Sequence, residues 1–297
     1  MRNELTAILL PLTVWASAEQ GTCKALVLSG GGSNGAWESG VLWGLLHYGD
    51  RFDYMYDVVA GVSIGSINAS GIAVFDIGKE KEATEYIYST WENIDSDSIY
   101  KEWAMGKVSG FYSQSIYDTT PGFETMQRIL SQFEGYKRAL TLSTVDIETG
   151  AVVNLTDENT PFELLYKAVV ASASVPGFFP PTELHGMKLV DGMTAYNTNV
   201  QSAIDRCREM VDDDENITID VLICNSDAKV SEWESSGNAW QNYWRVQDIR
   251  NRFHSSNATA GVMRAHPNIK WRHIINQTKK ASGIEALDFS PSVTGPL

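Results

Sequence analysis

Ser63 lies in Gly61-Val62-Ser63-Ile64-Gly65, between a short apolar run at Asp57–Ala60 and a segment of helical character at Ser63–Phe75. A G-x-S-x-G string between strand and helix bends the chain sharply, and the glycines let neighbouring backbone come close. The hydroxyl then projects at a helix N-terminus, where the dipole favours developing negative charge. That is the setting of a nucleophile attacking a carbonyl. The same string also serves as a plain structural turn, so its companions decide. Gly30-Gly31-Gly32-Ser33-Asn34-Gly35 offers a row of backbone N–H groups to an anion. It reads as an oxyanion hole, as a G-x-G-x-x-G dinucleotide fingerprint with Asp53 about 20 residues on, or as a glycine turn. Asp191-Gly192 follows the apolar run Lys188–Val190, which places a carboxylate at a strand end, where open α/β sheets keep their sites. Alone, Asp-Gly is an ordinary turn. The five histidines are His47 on an early helix, His185 six positions before Asp191, and His254, His266 and His273, late in the chain where a catalytic-triad histidine would come.

The elements that must position these residues alternate. Strands are expected at Lys24–Ser29, Asp57–Ala60, Leu140–Asp146, Ala151–Leu155, Lys188–Val190, Ile217–Cys224 and Lys270–Ile275. Helices are expected at Gly35–Tyr48, Ser63–Phe75, Lys79–Asn93, Phe123–Phe133 (opened by Thr120-Pro121), Phe162–Ala173, Asn199–Glu209 and Gly237–Ser255. Such alternation predicts a mostly parallel sheet covered on both faces. The stretch Ile99–Tyr117 interleaves aromatics with Gly and Ser, and Trp103, Phe111 and Tyr112 there suit either an interfacial loop or ordinary core packing.

Residues 1–18 read as a secretory signal peptide, with an apolar run from Leu5 to Trp15 and the small-residue cleavage site Ala16-Ser17-Ala18. The expected mature chain, 19–297, is one domain in the secretory pathway, a vacuolar lumen or outside the cell. In that compartment Cys23, Cys207 and Cys224 allow one disulfide and leave one thiol; Cys207–Cys224 closes the shorter loop, but spacing does not fix the pairing. Sequons stand at Asn68, Asn154, Asn216, Asn257 and Asn276, and Asn68, on a buried helix beside the serine motif, is expected to be bare.

With 23 Lys+Arg against 37 Asp+Glu the formal net charge is −14. A nucleic-acid binder needs a basic surface, so that class is excluded. Arg2 and Glu4 cancel, so the mature chain keeps the whole −14 and is expected to favour neutral or zwitterionic surfaces over anionic ones.

In this order, LVLSGGGSNGAWESGVL, GVSIGSINA and LVDGM resemble the patatin-like phospholipase family. SIYDTTPGFETMQRIL and ASASVPGFFPP are similar to two further segments of that family, and the likeness runs from about Lys24 to Asn199. The resemblance implies a three-layer α/β/α fold with a mostly parallel central sheet, and a lipid acyl hydrolase acting on phospholipid or other glycerolipid esters at a membrane or micelle surface. It implies Ser63 as nucleophile and Asp191 as base. The amides of Gly30, Gly31, Gly32 and Ile64 would hold the oxyanion, supported by Gly35, Gly61, Gly65 and Gly192. No metal, nucleotide or other cofactor is implied. Asn34 departs from the usual Arg or Lys of the glycine loop, and Met193 from the usual small residue after Asp-Gly. The competing readings are a storage or defence glycoprotein with incidental esterase activity, and a His-dependent esterase. A hydride-transfer enzyme would leave Ser63 and Asp191 idle.

Overall fold

The computed structural model describes residues 21–104, 106, 112–224, 237–278 and 283–295. The expected signal peptide and Phe111 lie outside them. The chain opens with β1 (Cys23–Leu28), α1 (Gly35–Tyr48), β2 (Val58–Val62), α2 (Ile64–Ala73) and α3 (Glu80–Asn93). A small pair, β3 (Lys101–Glu102) and β4 (Tyr117–Asp118), precedes α4 (Thr120–Leu130). Then come β5 (Ala139–Asp146), β6 (Val152–Thr156), α5 (Leu165–Ser172), β7 (Thr182–Leu184), β8 (Met187–Asp191) and α6 (Val200–Arg208). The rest is β9 (Ile217–Ile223), α7 (Ala239–Arg252), α8 (Ala258–Ala265), β10 (Lys270–Asn276) and the single turn α9 (Pro291–Thr294).

The main sheet runs β10-β9-β1-β2-β5-β8-β7, with β6 also on β5. The first five strands are parallel; β6, β7 and β8 join antiparallel. Side chains alternate across a strand, so a central strand feeds two cores. In β1, Leu26 and Leu28 face a cluster with Leu42 of α1, Ile72 of α2 and Leu165 of α5. Cys23, Ala25 and Val27 face the opposite cluster, with Ala203 and Ile204 of α6. This is the three-layer α/β arrangement, helices on both faces of a mostly parallel sheet. Both-sided burial is why the inner strands read as continuous apolar runs.

Cys23 points into the α6 face, and there it meets Cys207 in a disulfide with Cα atoms 5.5 Å apart. The shorter-loop pairing is therefore not formed, and Cys224, just past β9, is a buried thiol outside the disulfide, its Sγ donating to Asn34 O at 3.5 Å. Asn68 is fully buried as expected: its Nδ2 donates to Gly35 O and Glu38 Oε2, and its Oδ1 accepts from Trp91 Nε1. Among the described residues no helix is long and apolar enough to cross a membrane.

Candidate active site

β2 stops at Val62 and α2 starts at Ile64, so Ser63 alone makes the turn, at φ 55° and ψ −124°. A serine at positive φ is strained by roughly 1–3 kcal/mol and persists only where its surroundings dictate it. They do. A Cβ on Gly61 would collide with Gly65 O, and a Cβ on Gly65 with Leu28 O. The Ser63 amide donates to Ser172 Oγ at 3.0 Å, and that hydroxyl donates onward to Ser143 O at 2.7 Å. Ser172 on α5 thus fastens the turn to β5, which gives a part to the second residue of the segment ASASVPGFFPP.

Asp191 reaches Ser63 through the sheet. Each edge of a strand holds one neighbour per residue. On one edge of β5, β6 pairs Asn154 with Ser143 and Val153 with Thr144. On the other edge, Val62 of β2 pairs with Ser143 and Asp191 of β8 with Thr144. The two strands therefore meet end to end from opposite directions, and their last residues put Ser63 and Asp191 together. Asp191 is 0% exposed, and its Oδ1 accepts from the Met193 amide at 2.8 Å. Burial pushes its carboxyl up to about 7, against the lowering influence of the Ser63 side chain and the Met193 amide. The Ser63 hydroxyl is near enough for that influence but outside direct hydrogen-bond geometry, which leaves Oδ2 without a partner. Contacts of this kind often tighten only when substrate binds. Gly192 is obligatory, because a Cβ there would strike Ser143 O. Met193 contributes its amide to Asp191 and its side chain to the cavity wall.

The glycine loop is held by two asparagines. Asn197 Nδ2 donates to Gly30 O at 2.9 Å, and Asn34 Nδ2 to Gly31 O at 2.7 Å. In a trans peptide the N–H points opposite the C=O, so fixing these carbonyls aims the Gly31 and Gly32 amides the other way. The Gly30 amide is already engaged by Asn197 O at 3.0 Å, which removes it from the four expected oxyanion donors. The amides of Gly31, Gly32 and Ile64 have no such partner among the described residues. Gly32 adopts φ +57°, and Gly35 leaves room for the Ile64 side chain. Asn34, the departure from the usual Arg or Lys of such loops, is a buried brace of the loop. Asn197 was not legible; only its place six residues past Asp191 marks it.

Ser63, Ile64, the Gly30–Gly32 loop, Asn34, Met193 and Asn197 line a cavity of about 320 Å³, with Asp191 buried behind them. Its walls are largely apolar, among them Ile67, Met126, Val169, Phe178, Phe179 and Phe289. One face of α7 and the turn after it adds Tyr243, Gln247, Arg250 and His254. His254 is the single lining histidine among the described residues, and it makes no hydrogen bond to Ser63 or Asp191. The others are elsewhere. His47 stacks on Trp43, His266 approaches Asp214, and His273 meets Tyr54. His185 occupies the β7–β8 turn at φ 52°. Asp53 lies on an exposed turn near Arg272, away from the glycine loop, so the dinucleotide reading loses its ribose-binding acid. Trp103 is half-buried and donates to Ser115 O at 3.0 Å, which favours the packing reading there, while Tyr112 is exposed.

A family model described as patatin-like phospholipase matches residues 26–204. Two proteins of Saccharomyces cerevisiae are similar: triacylglycerol lipase 4, 30% identical over 172 residues, and triacylglycerol lipase 5, 29% identical over 171. Each alignment takes in 54% of this chain but only 18% and 22% of the yeast proteins, so the chain spans about a fifth of their length. A cGAMP-activated phospholipase of Escherichia coli is 23% identical over 276 residues, covering 84% of this chain and 76% of that one. Among solved structures, VipD from Legionella pneumophila matches with TM-score 0.42 and 14% identity, over 94% of this chain and 65% of that one.

Proposed function

This chain belongs to the patatin-like phospholipase family, and on that premise we propose that it is a lipid acyl hydrolase working through a Ser63–Asp191 dyad. The observation that carries the reading is the end-to-end meeting of β2 and β8 on one edge of β5. Ser63 Oγ attacks the ester carbonyl while Asp191 takes its proton. The carbonyl oxygen becomes an oxyanion facing the Gly31, Gly32 and Ile64 amides, each such donor being worth roughly 3–4 kcal/mol. Collapse expels the alcohol, which recovers the proton from Asp191, and leaves an ester on Ser63. Water then attacks that ester with Asp191 again as base, releasing the fatty acid and restoring the hydroxyl. No metal or cofactor enters the scheme.

The substrate class is a glycerolipid ester. The apolar walls suit acyl chains, and the named relatives act on triacylglycerol or phospholipid by their descriptions. Residues 19–297 act as one catalytic domain. Passage through the secretory pathway is consistent with the Cys23–Cys207 bridge, since such bonds persist in oxidising compartments. A serine-reactive fluorophosphonate tests the dyad. Labelling is expected in the native chain and absent in Ser63→Ala. Turnover of a soluble ester should vanish in Asp191→Asn and survive in His254→Ala. Equal loss in His254→Ala would install a histidine-dependent mechanism, the reading that the lining position of His254 keeps in competition.

A further inference from the structure

An amphipathic helix on a soluble protein normally turns its apolar stripe inward. Among the described side chains of α7 the reverse holds. Tyr243, Gln247, Arg250 and His254 follow one another at helical spacing and line the cavity. Val246, Ile249 and Phe253 form a second stripe about a quarter-turn round the helix, and they are 53%, 40% and 58% exposed. At 100° per residue, Arg252 falls on one side of that stripe and Arg250 on the other. Neither arginine has an ion pair among the described residues. An outward apolar stripe edged by long cationic side chains is the pattern of a helix lying in a lipid–water interface, with the arginine stems along the apolar zone and their heads among phosphates.

We propose that α7 docks on a phospholipid surface through Val246, Ile249 and Phe253, holding the mouth of the Ser63 cavity against the lipid. The proposal rests on the hydrolase reading above and names the surface through which its substrate arrives. Three observations favour a lipid surface as the occupant. The stripe borders the cavity that must receive an acyl chain, so docking and entry share one edge. The cations beside it run against the −14 of the whole chain and match headgroup phosphates. The three side chains together expose on the order of 300 Å², well short of the roughly 800 Å² per partner of a stable protein interface. The helix is also fastened to the reacting centre: Ser255, in the turn following Phe253, accepts from the same Asn197 amide that holds Gly30 O. The whole segment lies beyond the residues 26–204 that the family model matches.

The test is the triple variant Val246→Asp, Ile249→Asp, Phe253→Asp. Flotation with phosphatidylcholine vesicles is measured with Ser63→Ala present, so that lipid is not consumed. Hydrolysis of the same vesicles and of a short-chain soluble ester is measured with Ser63 intact. Vesicle binding and vesicle hydrolysis should fall about tenfold or more, with turnover of the soluble ester unchanged. Unchanged vesicle binding would overturn the proposal. Equal loss on vesicles and soluble ester, in a variant whose melting is native, would overturn it too. Concentration-dependent dimerisation abolished by the same substitutions would assign the stripe to a second copy instead. Should the triple variant not fold, Ile249→Ser with Phe253→Ser is read by the same criteria. If the native chain bound vesicles yet hydrolysed no soluble ester, the hydrolase reading would fail while the docking surface stood.

Discussion

As the proposed base, the Asp191 carboxyl must be unprotonated to act. Burial pushes it up to about 7, and the Met193 amide and Ser63 side chain pull it only partly back. A general base works when unprotonated, so kcat/KM on a soluble ester should climb as pH rises through about 7 and level off above. A profile flat from about pH 5 to 9 would remove Asp191 from that role. Asn197 carries a second prediction. Its amide holds Gly30 O and Ser255 Oγ, each at 2.9 Å. Asn197→Ala should free the Gly30–Gly31 peptide and lower kcat by about ten- to a hundredfold with little change in KM. A purely structural role would lower the melting temperature and leave kcat of the folded enzyme alone. The glycines of the two loops were legible because close backbone approach there leaves no room for a Cβ, whereas Ser63 and Asp191 stood out by motif alone. Asn197 stood in no motif, and Ser172 lay within ASASVPGFFPP with nothing to say what it does, since both act through hydrogen bonds to groups that the fold alone delivers.

Among the elements, inner strands were readable because burial on two faces demands unbroken apolar runs, as in β1 and β9. Direction was not readable. Lys188–Val190 looked like one more strand, and what turns it antiparallel is the two-residue link His185-Gly186, both at positive φ, which joins β7 to β8 as a tight hairpin. β7 itself is three residues long, too short to signal, and α8 is separated from α7 only by the π-turn Phe253–Asn257. Packing between elements leaves a further testable mark. Glu38 of α1 lies wholly buried against Asn68 of α2, and burial pushes its carboxyl up to about 8 despite help to the ionised form from Asn68, Cys224 and the Ser29 amide. Below about pH 4.5 the folded and unfolded chains both carry the proton, and Glu38 takes nothing from stability. As pH rises to about 8 the unfolded chain ionises while the folded one resists, so stability declines across that window by up to a few kcal/mol. Urea midpoints should therefore fall from about pH 5 to pH 8, and Glu38→Gln should flatten the decline. An equal slope in the variant would leave Glu38 without a part in it.

For the molecule as a whole, −14 sets which surfaces it approaches. The arginines of α7 act within a Debye length of about 10 Å, whereas the net charge repels at longer range when salt is low. Hydrolysis of strongly anionic vesicles should lag that of phosphatidylcholine vesicles at low salt and recover as salt is added; faster hydrolysis of anionic vesicles at low salt would contradict this. The meeting of β2 and β8 has one more consequence, and it concerns the order of events in folding. Ser63 and Asp191 stand 128 positions apart in the chain, yet they come from strands seated on consecutive residues of β5. Closing so long a loop is slow, and the reward comes only when β8 seats. A chain emerging from the ribosome can complete β1, β2 and β5 while remaining chemically inert towards lipid. On the proposed dyad, catalytic competence arrives as a late step, after the strand that carries Asp191 has docked.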